Sequence, residues 1–236
     1  MTLANGSHAV SAAVVDSCGN LGPLSPSLTP LTIDRISPAL SLDRVAGDNR
    51  INAAESQATV TISGTSEAGA QISMAVLVDG VQMLSRTLAV AGTQWALALS
   101  AAEISTLPEA TFKVAVSATD AAGNRRSITR SAAKDTSIVS PTIRPVSGDD
   151  VLTVLERNSP VPLAGTAEPS AKVTIGFPGW SRLVSTSTGG TWSTELPAYV
   201  ARNLPVGTIS VSAVATDRAG NISSPSQRLV RVLSVD

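Results

Sequence analysis

The chain is poor in the residues that most often carry chemistry, with one cysteine, one histidine and one tyrosine in 236 positions. Cys18 has no partner with which to close an intrachain disulfide, so a disulfide-stapled framework is excluded. His8 also stands alone, so a multi-histidine metal centre cannot be assembled, and its place in the leading partial unit reads as that of a bystander. An excess of charge of either sign is missing too. The 17 Lys and Arg against 18 Asp and Glu leave a net charge of −1. That gives no basic field to draw nucleic acid and no polybasic run for an anionic membrane. No uninterrupted apolar run is long enough to span a bilayer, so membrane insertion is not expected. Residues 1–18 are mildly apolar but lack a basic leader and are broken by His8 and Asp16, a poor pattern for a signal peptide. Neither a phosphate-binding glycine loop nor a metal-hydrolase helix signature occurs, and the expectation is a chain that is not an enzyme.

Aromatics make up 3% of the residues, so any core must be filled by Val, Ile, Leu and Ala. What the chain does have is turn and strand material: 17 Gly, 14 Pro and abundant Val, Ile, Thr and Ser. It also has a repeat. Val114–Asn124 reads VAVSATDAAGN, Val211–Asn221 reads VSAVATDRAGN, and Val10–Asn20 reads VSAAVVDSCGN. Other landmarks keep the same register. Trp95 and Trp192 each precede their aspartate, Asp120 or Asp217, by 25 residues. Gly64-Thr65 with Glu67 matches Gly165-Thr166 with Glu168, while Asp48 and Asp149 each lie 16 residues before that glycine. The chain therefore divides into two full repeats, 34–134 and 135–236, preceded at 1–33 by the closing hairpin and linker of another unit.

Each repeat reads as about seven short strands separated by turn residues, the pattern of an all-β sandwich. Phe112, Val114, Val116 and Ala118 alternate inward, with Thr111, Lys113, Ser117 and Thr119 opposite, and Ile209, Val211, Ala213 and Ala215 repeat the pattern. Asp79-Gly80 and Pro178-Gly179 mark hairpin turns. The TDxAGN motif fits a tight turn between the last two strands, its Gly at positive φ and its Asp and Asn bonding nearby amides. Trp95 and Trp192, at one repeat position, read as core anchors.

The set formed by DRVAGDNRINAAE (Asp43–Glu55), ISGT (Ile62–Thr65), a mid-repeat Trp and ATDAAGN (Ala118–Asn124) resembles the bacterial Ig-like repeats of giant biofilm and surface adhesins exported by the type I route. The resemblance covers both full repeats. It implies tandem Ig-like seven-stranded antiparallel β-sandwiches arranged head to tail, an extracellular cell-surface location and a role in adhesion. The second repeat departs from the pattern, with Arg144 where Asp43 stands and Thr153 where Asn52 stands.

Topology assigns the acidic residues to places. In a seven-stranded sandwich the first loop lies at one pole and the turn between the last two strands at the other. The first loop carries Asp43, Asp48, Asn49 and Glu55 in the first repeat, and Asp149, Asp150 and Glu156 in the second. Stacked head to tail, Asp48 and Glu55 would meet Asp217 and Asn221, with Asp135 in the linker. Carboxylates converging in this way call for a cation, and calcium, which accepts six to eight oxygens in flexible geometry, suits the place. The resemblance implies the same ion. Against this stands the ordinary turn-forming use of Asp and Asn. The expected partners are adjacent repeats of the same chain and, through other regions, a host or matrix surface. A different reading makes Trp180, beside the Pro178-Gly179 turn, a carbohydrate- or protein-binding contact. A third makes the chain an accessory segment of a secreted enzyme.

Overall fold

A computed structural model describes residues 2–27 and 29–234 of the chain. They form two compact units. The first contains the residues up to Asn49 together with Thr59–Ala133; the second contains Arg50–Ala58 together with the chain from Lys134 onward. The segment 50–58, which the repeat pattern assigns to the first repeat, thus belongs by contact to the second unit.

In the first unit, strands Arg125–Lys134, Thr111–Thr119, Gln71–Val78 and Val81–Ala89 lie antiparallel in that order. A second sheet pairs Val60–Thr65 with Gln94–Leu99. Backbone bonds from Ser41 N to Thr65 O and from Asp43 N to Ser63 O run another extended segment along it. The alternation read from the sequence sets the inner faces: Phe112, Val114, Val116 and Ala118 are all buried. Ser117, expected on the outer face, is buried as well, because Arg125 folds over it and donates to its hydroxyl. Met74, Ile72, Ile62 and Trp95 complete the core. Asp79 and Gly80, at φ 49° and 83°, form the two-residue hairpin turn between Gln71–Val78 and Val81–Ala89. Upstream, Gly6–His8 pairs with Leu31–Ile33, and an isolated bridge joins Val15 to Leu21.

The second unit repeats the plan with seven strands. Val151–Leu152, Ser226–Val232, Gly207–Thr216, Lys172–Phe177 and Trp180–Ser185 form one sheet in that order, and Val161–Thr166 with Thr191–Leu196 the other. Val173, Ile175, Val211, Ala213, Leu163 and Trp192 fill the space between them. This is the expected Ig-like β-sandwich, with one difference from the all-antiparallel expectation: Val151–Leu152 runs parallel to Arg231–Val232. The cause is a switch of sheets. Thr142 and Arg144 hydrogen-bond to Thr166 and Ala164 of one sheet, and the turn at 146–150 then carries the chain across to the other. Ser147, Gly148 and Asp150 all hold positive φ in that turn.

The shared glycines 64 and 165 have a packing reason. A Cβ on Gly165 would sit 1.9 Å from the Thr142 carbonyl oxygen and 2.5 Å from the Trp192 ring; on Gly64 it would sit 2.2 Å from the Ser41 oxygen and 2.8 Å from Trp95. Only glycine lets the first extended segment and the core tryptophan both close on that strand.

Candidate functional site

One turn occurs three times with the same wiring. The aspartate Oδ1 accepts from the amides two and four residues on: Cys18 and Asn20 for Asp16, Ala122 and Asn124 for Asp120, Ala219 and Asn221 for Asp217. The asparagine Nδ2 donates back to Oδ2 of its aspartate, at 2.8, 2.9 and 2.7 Å respectively. The intervening glycines sit at φ 85°, 89° and 91°. Those hydrogen bonds, led by the one from the asparagine side chain, hold the Asp16 and Asp120 carboxyls below the usual carboxylate range.

The same asparagines fasten the start of each repeat. Asn221 Nδ2 also donates to the Asp135 carbonyl at 2.7 Å, and Asn124 Nδ2 to the Asp34 carbonyl at 3.2 Å. In the second unit the turn is covered further. The Ala53 amide donates to Asn221 Oδ1 at 2.8 Å, and Asn52 Nδ2 donates to the Ala219 carbonyl at 3.0 Å. Asn52 can do this because its loop is locked by a capping box. Its Oδ1 accepts from the Glu55 amide, and the Glu55 carboxylate accepts from the Asn52 amide. Asp135 N is bonded to Ile51 O. Of the residues expected at one place, Asn221 bonds both Asp217 and the Asp135 carbonyl, while Glu55 is engaged by Asn52 in the loop that covers the turn.

A further carboxylate joins them. Glu168 has a buried Oε2 with no hydrogen-bond partner, and its carboxyl is pushed above the usual range first by burial and then by the negative charges of Asp135 and Asp217. Glu168 figured in the sequence only as a repeat landmark; its burial depends on tertiary packing that no local pattern announces. Its counterpart Glu67 is exposed.

The remaining sequence candidates serve their own loops. Asp43 accepts from the Ser63 hydroxyl. Asp48 closes the short turn at Val45–Gly47, its amide bonded to Val45 O. Asn49 and Asp150, at φ 70° and 66°, each accept through Oδ1 from the amide four residues earlier. Asp149 accepts from the Val151 amide. Asp150 also takes both arms of Arg228, whose guanidinium holds its carboxyl below the usual range. Glu156 accepts from the hydroxyl and amide of Thr153, and those bonds likewise hold it low. As the side chains stand, no three acidic, histidine or cysteine groups among the described residues are gathered closely enough to bind a metal. Trp180 is half-buried against the core of the second unit, with its ring edge-on to Phe177 at 6.0 Å between centroids. His8 bonds the Ala4 carbonyl, and Cys18 is exposed. No helix among the described residues is long and apolar enough to cross a membrane.

No protein-family model matches the chain, and no curated protein matches it. Solved structures do. The chain is similar to a 1.5-MDa bacterial ice-binding adhesin, at 21% identity over 85% of this chain and 66% of that one, with a TM-score of 0.45. It is also similar to a Ca2+-stabilized adhesin that helps an Antarctic bacterium reach out and bind ice, at 22% identity over 95% of this chain and 56% of that one, with a TM-score of 0.44. A third is a tetra-tandem repeat in the extending region of a large adhesion protein, at 24% identity over 97% of this chain and 57% of that one, with a TM-score of 0.37. Repeat domains of large bacterial adhesins are thus among the structural neighbours of this chain, which spans less than two thirds of each of the three.

Proposed function

We propose that the chain is a non-enzymatic spacer segment of a bacterial cell-surface adhesin, located outside the cell, whose linker is stiffened by calcium. The observation that carries this reading is the cluster around Asn221. The linker carbonyl of Asp135 is held by the Asn221 amide, and beside it Glu168 keeps a buried, unpartnered carboxylate oxygen among the charges of Asp135 and Asp217. An orphaned acceptor among like charges fits a hard divalent cation that takes oxygen ligands. Asp135, Glu168 and Asp217 would have to close around it from where their side chains stand, and the ion would then neutralise their repulsion and fix the linker. The first-loop residues have the weaker claim: Asp48 sits in its own turn, and the side chains of Asp43, Asn49, Asp149, Asp150 and Glu156 are engaged by amides, hydroxyls or Arg228. Adjacent repeats of the parent chain would be the partners. Contact with ice, host or matrix would fall to other regions, as the adhesin likeness suggests.

The test is thermal unfolding of the chain and of Glu168→Gln, in excess calcium and in excess chelator, with small-angle scattering on the same four samples. The expected result is a rise in midpoint and a longer, stiffer particle in calcium for the native sequence, with both responses lost in Glu168→Gln. Equal curves with and without calcium would remove the ion and leave the fastening to the hydrogen bonds around Asn221 and Asp135.

A further inference from the structure

Two copies of one turn, wired alike, differ in what covers them. In the second unit, Ala219 and Asn221 are buried, at 4% and 6% exposure, beneath the loop carrying Asn52 and Ala53. In the first unit, the matching Ala122 is exposed and Asn124 half-buried. Asn124 keeps its bonds to Asp120 and to the Asp34 carbonyl, so the turn is already in the shape that its twin has when covered. Among the described residues, no hydrogen bond from a covering loop to this turn is found. The two covering bonds are one backbone N–H to the asparagine Oδ1 and one side-chain amide to the alanine carbonyl, and the 120–124 turn carries the same two acceptor types on Asn124 and on the exposed Ala122.

We infer that the 120–124 turn is a docking surface for a second capping-box loop of the type Asn52-Ala-Ala-Glu55, presented by another repeat. Its chemistry is specific. The occupant must carry an asparagine at the cap, for the side-chain donor, followed by a residue with a free amide. The loop at Thr153–Glu156 does not meet the first requirement. Thr153 has no side-chain amide, and its hydroxyl is spent on Glu156. Leu155, 82% exposed, stands where the small Ala54 stands. The repeats are therefore not interchangeable, because a turn of the 120–124 kind accepts the first loop and rejects the second. The inference rests on the spacer reading only in taking the occupant to be another repeat.

The experiment inserts a second copy of residues 34–134 after Lys134 in the full chain, so that loop 50–58 of the original copy precedes the 120–124 turn of the inserted one. Asn124→Ala is placed in either copy, alone and with Asn52→Ala in the original copy, and unfolding is followed by denaturant titration in chelator. In the inserted copy, Asn124→Ala should shift the unfolding equilibrium about tenfold, close to the effect of Asn221→Ala, and should be coupled to Asn52→Ala. In the original copy the shift should be smaller and uncoupled. Equal, uncoupled effects in both copies would overturn the proposal, as would self-association of the unextended chain that Asn124→Ala abolishes, which makes a second chain the occupant. Repeating the titrations in calcium keeps the two readings apart: loss of the calcium response with coupling intact sinks only the ion.

Discussion

A methyl group is enough to test why glycine occupies positions 64 and 165. Gly165→Ala should cost about 3 kcal/mol or more, because the new carbon meets backbone oxygen and an indole ring that cannot both retreat. Denaturant unfolding of the variant reads this directly, and Gly64→Ala should follow with a slightly smaller loss. Glu168 gives a prediction of the opposite sign. Its carboxyl is raised in the fold, so the folded protein binds more protons than the unfolded chain between the unfolded value and the raised one. Stability without calcium should therefore fall as pH rises through that window, and Glu168→Gln should stabilise the calcium-free protein at neutral pH while leaving it unchanged in strong acid. A pH series of unfolding midpoints in chelator that shows no gain for the glutamine variant at neutral pH would remove the buried charge from the account. The Gly-Thr pair and Glu168 were visible in the sequence as matching landmarks. Their physical roles were not, since each depends on what a distant strand or turn brings against it.

Among the elements, the loops that cross from one sheet to the other hold the most information. The alternation in Thr111–Thr119 and Gly207–Thr216 was legible because both strands bury one face and expose the other. The parallel pairing of Val151–Leu152 was not, because two residues carry no period. Asn49 and Asp150 perform the same turn bond, yet only Asp150 faces an arginine that pairs with it. The matching Arg130 donates to the Leu42 carbonyl, as Arg228 does to the Ile143 carbonyl. Asp150→Asn should then keep the turn and lose the ion pair, at about 1 kcal/mol, while Asp150→Ala should lose both, at about 2 kcal/mol. Because Arg228 lowers the Asp150 carboxyl, the pair's contribution is present above the unfolded pKa and disappears as pH falls through the folded one. The difference between native protein and Asp150→Asn should close in acid, as urea titrations across that range would read.

Across the whole molecule, the repeat was the most legible feature, and the placing of acids at opposite poles of a sandwich put Asp48, Glu55, Asp135, Asp217 and Asn221 at one junction, although Asp48 belongs to the first unit. That reasoning treated them as ligands of an ion. The structure gives Glu55 and Asn221 a prior task as hydrogen-bonding parts of a latch, and it adds Asn52, whose side chain reaches Ala219. Asn52 drew notice in the sequence only for what replaces it in the second repeat. The parallel pair of Val151–Leu152 with Arg231–Val232, reinforced by bonds from Arg231 N to Asp150 O and from Leu233 N to Leu152 O, has a mechanical meaning as well. Tension applied through the two ends of the second unit pulls these strands along their lengths in opposite senses. Their hydrogen bonds are loaded in shear and must fail together rather than one after another from an end. A stalk built of such units would yield late under a steady pull, at a rate set by the unfolding barrier rather than by equilibrium stability.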